Sequence, residues 1–180
     1  VPDEPSASTM IGLATTRFND VTAELDFATR AKALGVTPYD ALIVASIIER
    51  EVFRDQDRAK VARVIYNRLD AGMMLQMDST VAYAAGKTGT VWTTKAERDS
   101  DSPYNTYKHV GLPIGPIASP AKAALKAAIA PADGRWLFFM PVNLDTGETR
   151  FSTTLAEHRQ AAAELQAWCK KSDANAKKCA

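Results

Sequence analysis

The chain has 180 residues, 46% of them hydrophobic and 24% charged, with a formal net charge of +1. That length and balance describe one ordinary globular domain. They exclude a nucleic-acid binder that relies on a basic surface. No apolar run approaches the roughly 18 residues needed to span a bilayer, and Val1-Pro2-Asp3-Glu4-Pro5 is too polar for a signal peptide.

Residues 1–9 read as a disordered leader, before an amphipathic helix from Phe18 to Leu34 with Gly35 as its stop. A second helix opens at Thr37-Pro38-Tyr39-Asp40, where Thr is the N-cap, Pro the first helical residue and Asp an acid in the first turn. A third spans Asp57–Asp70, with Val61, Ala62, Ile65 and Leu69 on one face and Gly72 as its stop. From Met73 to Ser119 periodicity collapses into loops, with strand-like pieces at Met74–Met77 and Val91–Thr93. Ser119-Pro120 predicts a helix over Ala121–Ala130. Trp136–Val142 and Thr149–Ser152 predict a hairpin around Asn143–Glu148, and Thr154 with Glu157 a capping box for a helix ending near Trp168. The tail 169–180 is polar and expected to fray. Its cysteines, Cys169 and Cys179, would close a small loop in an oxidising compartment or stand as two idle thiols. The expected fold class is α+β, helices packed around a small antiparallel hairpin, with residues 10–168 as the single functional domain.

Within the second helix, Glu51 breaks the pattern. With Leu42 at zero and about 100° per residue, Glu51 falls near 180°, inside the arc of Ile43, Val44, Ile47 and Ile48. Glu49 falls near 340°, on the far side. A carboxyl held against aliphatic groups loses hydration and its pKa rises, which is useful where a protonated acid is needed at neutral pH. Alternatively, Glu51 is a helix-end residue that reaches water or pairs with Arg54 or Arg58.

Other motifs fail. Gly86-Lys87-Thr88 has Val81 where a phosphate-binding loop needs glycine. Ser119-x-x-Lys122 and Lys87-Thr88-Gly89 stand in the wrong order for a serine β-lactamase. His109 and His158 lack the neighbours of a metal site. No cofactor and no metal is therefore expected. The loops holding Gln76, Asp78 and Ser79, and Tyr104, Asn105, Thr106 and Tyr107, combine amide, hydroxyl and aromatic groups that suit a neutral, hydroxyl-rich ligand; turn chemistry explains the same residues equally well.

Six blocks carry a resemblance: Ala45–Glu51, Val64–Leu69, Leu75–Tyr83, Ser102–Tyr107, Gly111–Ile117 and Phe151–His158. In this order they resemble the endolytic murein transglycosylases of the YceG-like family. The resemblance implies cleavage of peptidoglycan glycan strands at internal MurNAc–GlcNAc bonds, leaving 1,6-anhydro ends. The second Glu of the family's Glu-x-Glu pair, matching Glu51, would be the acid and then the base. Gln76, Asp78, Ser79, Tyr104, Asn105, Thr106, Tyr107 and Asn67 are the candidates for binding substrate, and Arg68 for orienting loops. Two other readings are a lysozyme-like hydrolase using Glu51 with Asp78, and a non-catalytic glycan-binding module. The resemblance further implies peptidoglycan synthases as partners and a site on the extracytoplasmic face of the cytoplasmic membrane, with an anchor and a LysM-like domain preceding this segment. Val52 departs from the Thr or Ser usual after the acid, and Ile114 from the second Pro of a Pro-Pro pair.

Overall fold

The structure, a computed structural model, describes residues 6–87 and 93–179. Its elements are α1 (Ala7–Glu24), α2 (Phe27–Ala33), α3 (Pro38–Glu51), α4 (Asp55–Asp70), α5 (Asp78–Ala84), α6 (Lys95–Arg98), α7 (Lys122–Ala128), strands β1 (Phe138–Asn143) and β2 (Glu148–Ser152), α8 (Leu155–Cys169) and α9 (Asp173–Lys178). This is the expected α+β class.

Helix α3 is the axis of the core. Its start is fixed as predicted: Thr37 Oγ1 accepts from the Asp40 N–H at 3.1 Å, and the Asp40 carboxylate accepts in return from the Thr37 N–H at 3.3 Å. Helices α2, α4, α5 and α7 pack around it, so Ile43, Val44, Ile47 and Ile48 are all buried. Each such side chain contributes about 1.5–3 kcal/mol of burial. Ser46 is buried too. It is satisfied by donating to the Ile43 carbonyl at 2.7 Å and accepting from the Ile117 N–H at 3.0 Å. No single helix among the described residues is long and apolar enough to cross a membrane.

Several boundaries differ from expectation. The Phe18–Leu34 helix is two helices, because Asp26 adopts a left-handed φ of 48° and turns Phe27 and Ala31 into the core. Ser6 caps α1, so helix already begins inside the stretch expected as a leader. Helix α3 ends at Glu51. The Met74–Met77 piece is irregular, with Gln76 at a left-handed φ of 51°, and joins no ladder; of the Val91–Thr93 piece, residues 91 and 92 lie outside the described residues. Ser119 does not cap α7. The helix starts two residues later, where the Glu49 carboxylate accepts from the Ala121 N–H at 3.1 Å. The tail holds α9, capped by Ser172 and closed by a Cys169–Cys179 disulfide.

The antiparallel hairpin pairs Phe138 with Ser152 and Asn143 with Glu148, with an irregularity around Val142. Its turn is set by Asn143 Oδ1, which accepts from the N–H groups of Asp145 and Thr146. Gly147 is required there: φ is 68°, and a Cβ would lie 3.0 Å from Phe53 Cβ. The hairpin tip thus abuts the corner just after Glu51. Its other anchor is Arg68 on α4, a buried guanidinium that donates to the carbonyls of Leu137 at 2.6 Å, Leu75 at 2.8 Å and Met74 at 3.2 Å. One side chain therefore holds the approach to β1 and the approach to α5 in fixed relation.

Replacing Arg68 by Leu leaves those carbonyls without their donor. The loss expected is about 2–4 kcal/mol, measured by urea unfolding followed through Trp fluorescence. Arg68→Lys should recover less than half, because an ammonium cannot fork to three acceptors.

Candidate active site

Beside the end of α3 opens a cleft of about 620 Å³. Arg50, Glu51 and Phe53 supply one wall, Gln76, Met77, Asp78 and Tyr107 a second, and the hairpin residues Phe138 to Pro141 with α8 a third. Being the last residue of α3, Glu51 continues the aliphatic stripe to the cleft surface, where it keeps partial solvent access.

Burial pushes the Glu51 carboxyl's pKa up, and the nearby Asp78 charge adds to this. The Ser79 hydroxyl and N–H, with Arg50, oppose it. The N–H is directional: it is one of the free donors at the start of α5 and donates to Glu51 Oε1 at 3.3 Å. The Ser79 hydroxyl oxygen is sealed beside the carboxyl without a well-formed hydrogen bond, so the N–H is the stronger restraint. The last turn of α3 also exposes its negative dipole end, which further disfavours a carboxylate there. Glu51 is thus a reluctant anion with one donor waiting for its charged form.

Asp78 is held differently. Its Oδ1 accepts from the hydroxyl of Thr93 and from Tyr107 Oη at 3.1 Å, and Arg98 approaches to 4.0 Å. Arg98 also donates to the Thr93 carbonyl at 2.6 Å and lies 5.8 Å from the centre of the Tyr107 ring. Burial, then Asp78, push the Tyr107 phenol's pKa up, so it remains a neutral donor. Gln76 stands exposed on the rim with a left-handed φ of 51°, a conformation costly for a non-glycine residue and common at functional positions. The Gln76 N–H and the Met77 N–H hold it there by donating to the Thr106 carbonyl and hydroxyl, each at 3.0 Å.

Of the predicted binding residues, Gln76, Asp78, Ser79 and Tyr107 therefore meet at Glu51. The others do not. Tyr104 packs its ring 4.8 Å from that of Tyr83, and its hydroxyl crowds Gly115. Asn105 is fully buried. It donates to the carbonyls of Arg98 and Ser100 and accepts from the Tyr107 N–H at 3.0 Å, which shapes the turn presenting Tyr107. Thr106 is a buried strut, hydrogen-bonded to the Thr80 hydroxyl at 2.9 Å. Asn67 donates to the carbonyls of Gly134 and Trp136 at 3.2 and 2.9 Å, fastening the segment before β1.

Sequence reasoning also missed cleft residues. Arg68, expected only to orient loops, lines the cleft, as do Phe138, Phe139, Leu155, His158 and Lys178. Lys178 reaches the hairpin turn by pairing with Asp145. The continuous apolar run Trp136–Val142 indicated a strand without indicating which face met the cleft. Phe53, 76% exposed at the rim, is a large ring that folding alone does not require there. Among the described residues, no three His, Cys, Asp or Glu side chains converge as a metal site demands.

Comparison with known proteins places this geometry in a lineage. Residues 1–164 match the YceG-like family. A Bacillus subtilis (strain 168) protein named endolytic murein transglycosylase is 44% identical over 126 residues, 70% of this chain and 34% of that protein. A protein of the same name from Streptococcus pneumoniae serotype 2 (strain D39) is 33% identical over 137 residues, 74% of this chain and 25% of that protein. The crystal structure of a YceG-like protein from Listeria monocytogenes superposes with a TM-score of 0.78 at 35% identity, over 89% of this chain and 51% of that one. The chain spans between a quarter and a third of the length of these curated relatives. With most of its sequence matched and its architecture shared, the chain belongs to the YceG-like family.

Proposed function

We propose that this chain is the catalytic region of an endolytic lytic transglycosylase that cleaves internal MurNAc–GlcNAc bonds of peptidoglycan. The observation that carries this reading is Glu51, a carboxyl whose pKa burial raises, at the surface of an open, partly apolar cleft. The relatives' name, endolytic murein transglycosylase, supports the same substrate.

Protonated Glu51 gives its proton to the glycosidic oxygen as the bond from C1 breaks, and the GlcNAc side leaves as an alcohol. Positive charge develops at C1 of MurNAc, as in glycoside cleavage generally, and the Asp78 carboxylate beside the site favours it. Glu51, now ionised and held by the Ser79 N–H, takes the proton from the C6 hydroxyl of the same sugar while that oxygen closes on C1. The product is a 1,6-anhydro end, no water is consumed, and Glu51 returns to its starting form. A tethered nucleophile needs little recruitment, so one acid is enough. Burial raises the pKa for the first step and the Ser79 N–H limits the rise for the second. Asp78 serves as a support: its Oδ1 is engaged by Thr93 and Tyr107, which disfavours a lysozyme-like role as second catalytic carboxylate. Gln76 and Tyr107 hold the sugar, and Phe53 and Phe138 offer apolar faces to it.

Because the substrate lies outside the cytoplasmic membrane, the reaction is placed on that face. The Cys169–Cys179 disulfide fits an oxidising compartment.

Glu51→Gln should lower turnover of glycan strands about 10²–10⁴-fold, with anhydro-ended products vanishing from mass spectra of the digest. Asp78→Asn should cost no more than about tenfold, one charge-assisted hydrogen-bond set. Reducing-ended products, with Asp78→Asn as harmful as Glu51→Gln, would establish hydrolysis instead.

Stability carries a second signature. The folded-state pKa of Glu51 is raised, so the folded chain holds a proton that the unfolded chain releases, and stability falls as pH rises out of the ordinary carboxyl range. Glu51→Gln removes that penalty. Its urea midpoint should exceed the wild-type midpoint at pH 7, and the difference should shrink to nothing as pH falls below the unfolded carboxyl value.

A further inference from the structure

His158 belongs to the fourth helical position of α8, whose start is locked by the Thr154–Glu157 capping box. Leu155, His158 and Leu165 all face the cleft, as their spacing of three and seven along one helix face requires. The imidazole stacks on the Phe138 ring, centroids 5.1 Å apart and planes at 22°. The same Phe138 ring carries the Arg68 guanidinium at 5.0 Å. Arg68 is itself fixed by three carbonyls, so the histidine ring rests on a rigid stack.

The two ring nitrogens differ. Nδ1 is sealed from solvent and has no hydrogen-bond partner, whereas Nε2 is not sealed. Burial, then the Arg68 charge, hold the imidazole's pKa below its ordinary value, so the ring is neutral at pH 7 and carries a single N–H. Placing that hydrogen on Nδ1 would bury an unpaired donor, costing about 1–3 kcal/mol, and would set it against a neighbouring cation. A buried lone pair is the milder defect. The hydrogen therefore belongs on Nε2, and Nε2 is the nitrogen open to the cleft. Among the described residues, no group accepts from it.

An immobilised neutral donor in a substrate cleft calls for a neutral acceptor. Leu155, 47% exposed on the same helix face, adds an apolar surface one turn earlier. A donor with an apolar neighbour matches an acetamido group, whose carbonyl oxygen would accept from Nε2–H while its methyl covers Leu155. We propose that His158 and Leu155 form an acetamido-recognition subsite in the Glu51 cleft, selecting N-acetylated over de-N-acetylated sugars. A free amino group in place of the acetamide offers no carbonyl acceptor, and it brings a cation toward Arg68. This subsite rests on the glycan reading above and assigns a specificity that the reading does not contain.

The test uses the Glu51→Gln protein, which should bind glycan strands without consuming them. Calorimetry compares strands with their acetamides intact and strands chemically de-N-acetylated. Intact strands should bind roughly tenfold or more tightly, the value of one well-made hydrogen bond and its apolar neighbour. Adding His158→Phe, which keeps the stacked ring and removes the donor, should bring the two within about twofold, and His158→Gln, which restores an N–H, should recover part of the preference. Full preference retained with His158→Phe overturns the subsite. Binding of neither strand overturns the glycan reading, and the subsite falls with it. The tautomer is read separately, by nitrogen-15 imidazole NMR at pH 7 with His158→Phe assigning the signal. An Nε2–H ring is expected; an Nδ1–H ring or an imidazolium overturns the proposal even where binding is tight.

Discussion

A single carboxyl group caught between two environments organises this molecule. Glu51 ends the most deeply buried helix, so everything that makes α3 a core helix also makes its last side chain hard to ionise. Against that stands one backbone N–H, from Ser79, aimed at Oε1. The balance depends on where α5 begins. Helix α5 is preceded by an irregular segment tied down through Arg68, Thr106 and the strained Gln76. Loosening any of these moves the backbone donor that favours ionised Glu51 and weakens what opposes burial.

Much of this was legible in the chain. The Thr37–Asp40 box fixed the phase of α3, and phase alone put Glu51 with Ile43, Val44, Ile47 and Ile48. The hairpin and the Thr154 cap also followed from local chemistry. What failed was tertiary. Asp26 breaks a helix that periodicity would continue, because turning there buries Phe27. Helix α5 has only seven residues, too few to show a period, and is held by its neighbours. The same limit applied to the loops. Tyr104, Asn105 and Tyr107 are nearly adjacent and chemically alike, yet only Tyr107 faces the cleft. Asn105 is spent on shaping the turn and Tyr104 on Tyr83, and which of three neighbours points outward is decided by packing and hydrogen bonds that residue type alone does not reveal.

Arg68 illustrates how one residue joins stability to chemistry. A buried guanidinium is unfavourable unless its donors are used, and here they are used on carbonyls that no strand or helix satisfies. The arrangement costs the protein a desolvated charge and returns a fixed distance between the hairpin and the start of α5. The same charge lies against Phe138 and depresses the His158 pKa. Structural and binding roles converge because the cleft is the seam between the two parts that Arg68 holds together.

The cleft also draws on the end of α8 and on α9, since Leu165 and Lys178 contribute to its wall. Helix α9 has six residues, far short of the length at which a helix is stable by itself. Its position therefore depends on the Ser172 cap, the Asn175 side chain donating to the Trp168 carbonyl at 2.8 Å, the disulfide and the Lys178–Asp145 pair. One of these four, the Lys178–Asp145 pair, ties α9 to a point distant along the chain. Closing so short a loop by a disulfide confers about 2–3 kcal/mol in the chain-entropy view, enough to hold a segment that would otherwise fray. This wall is thus set by a separately fastened element whose loss would widen the groove without touching Glu51.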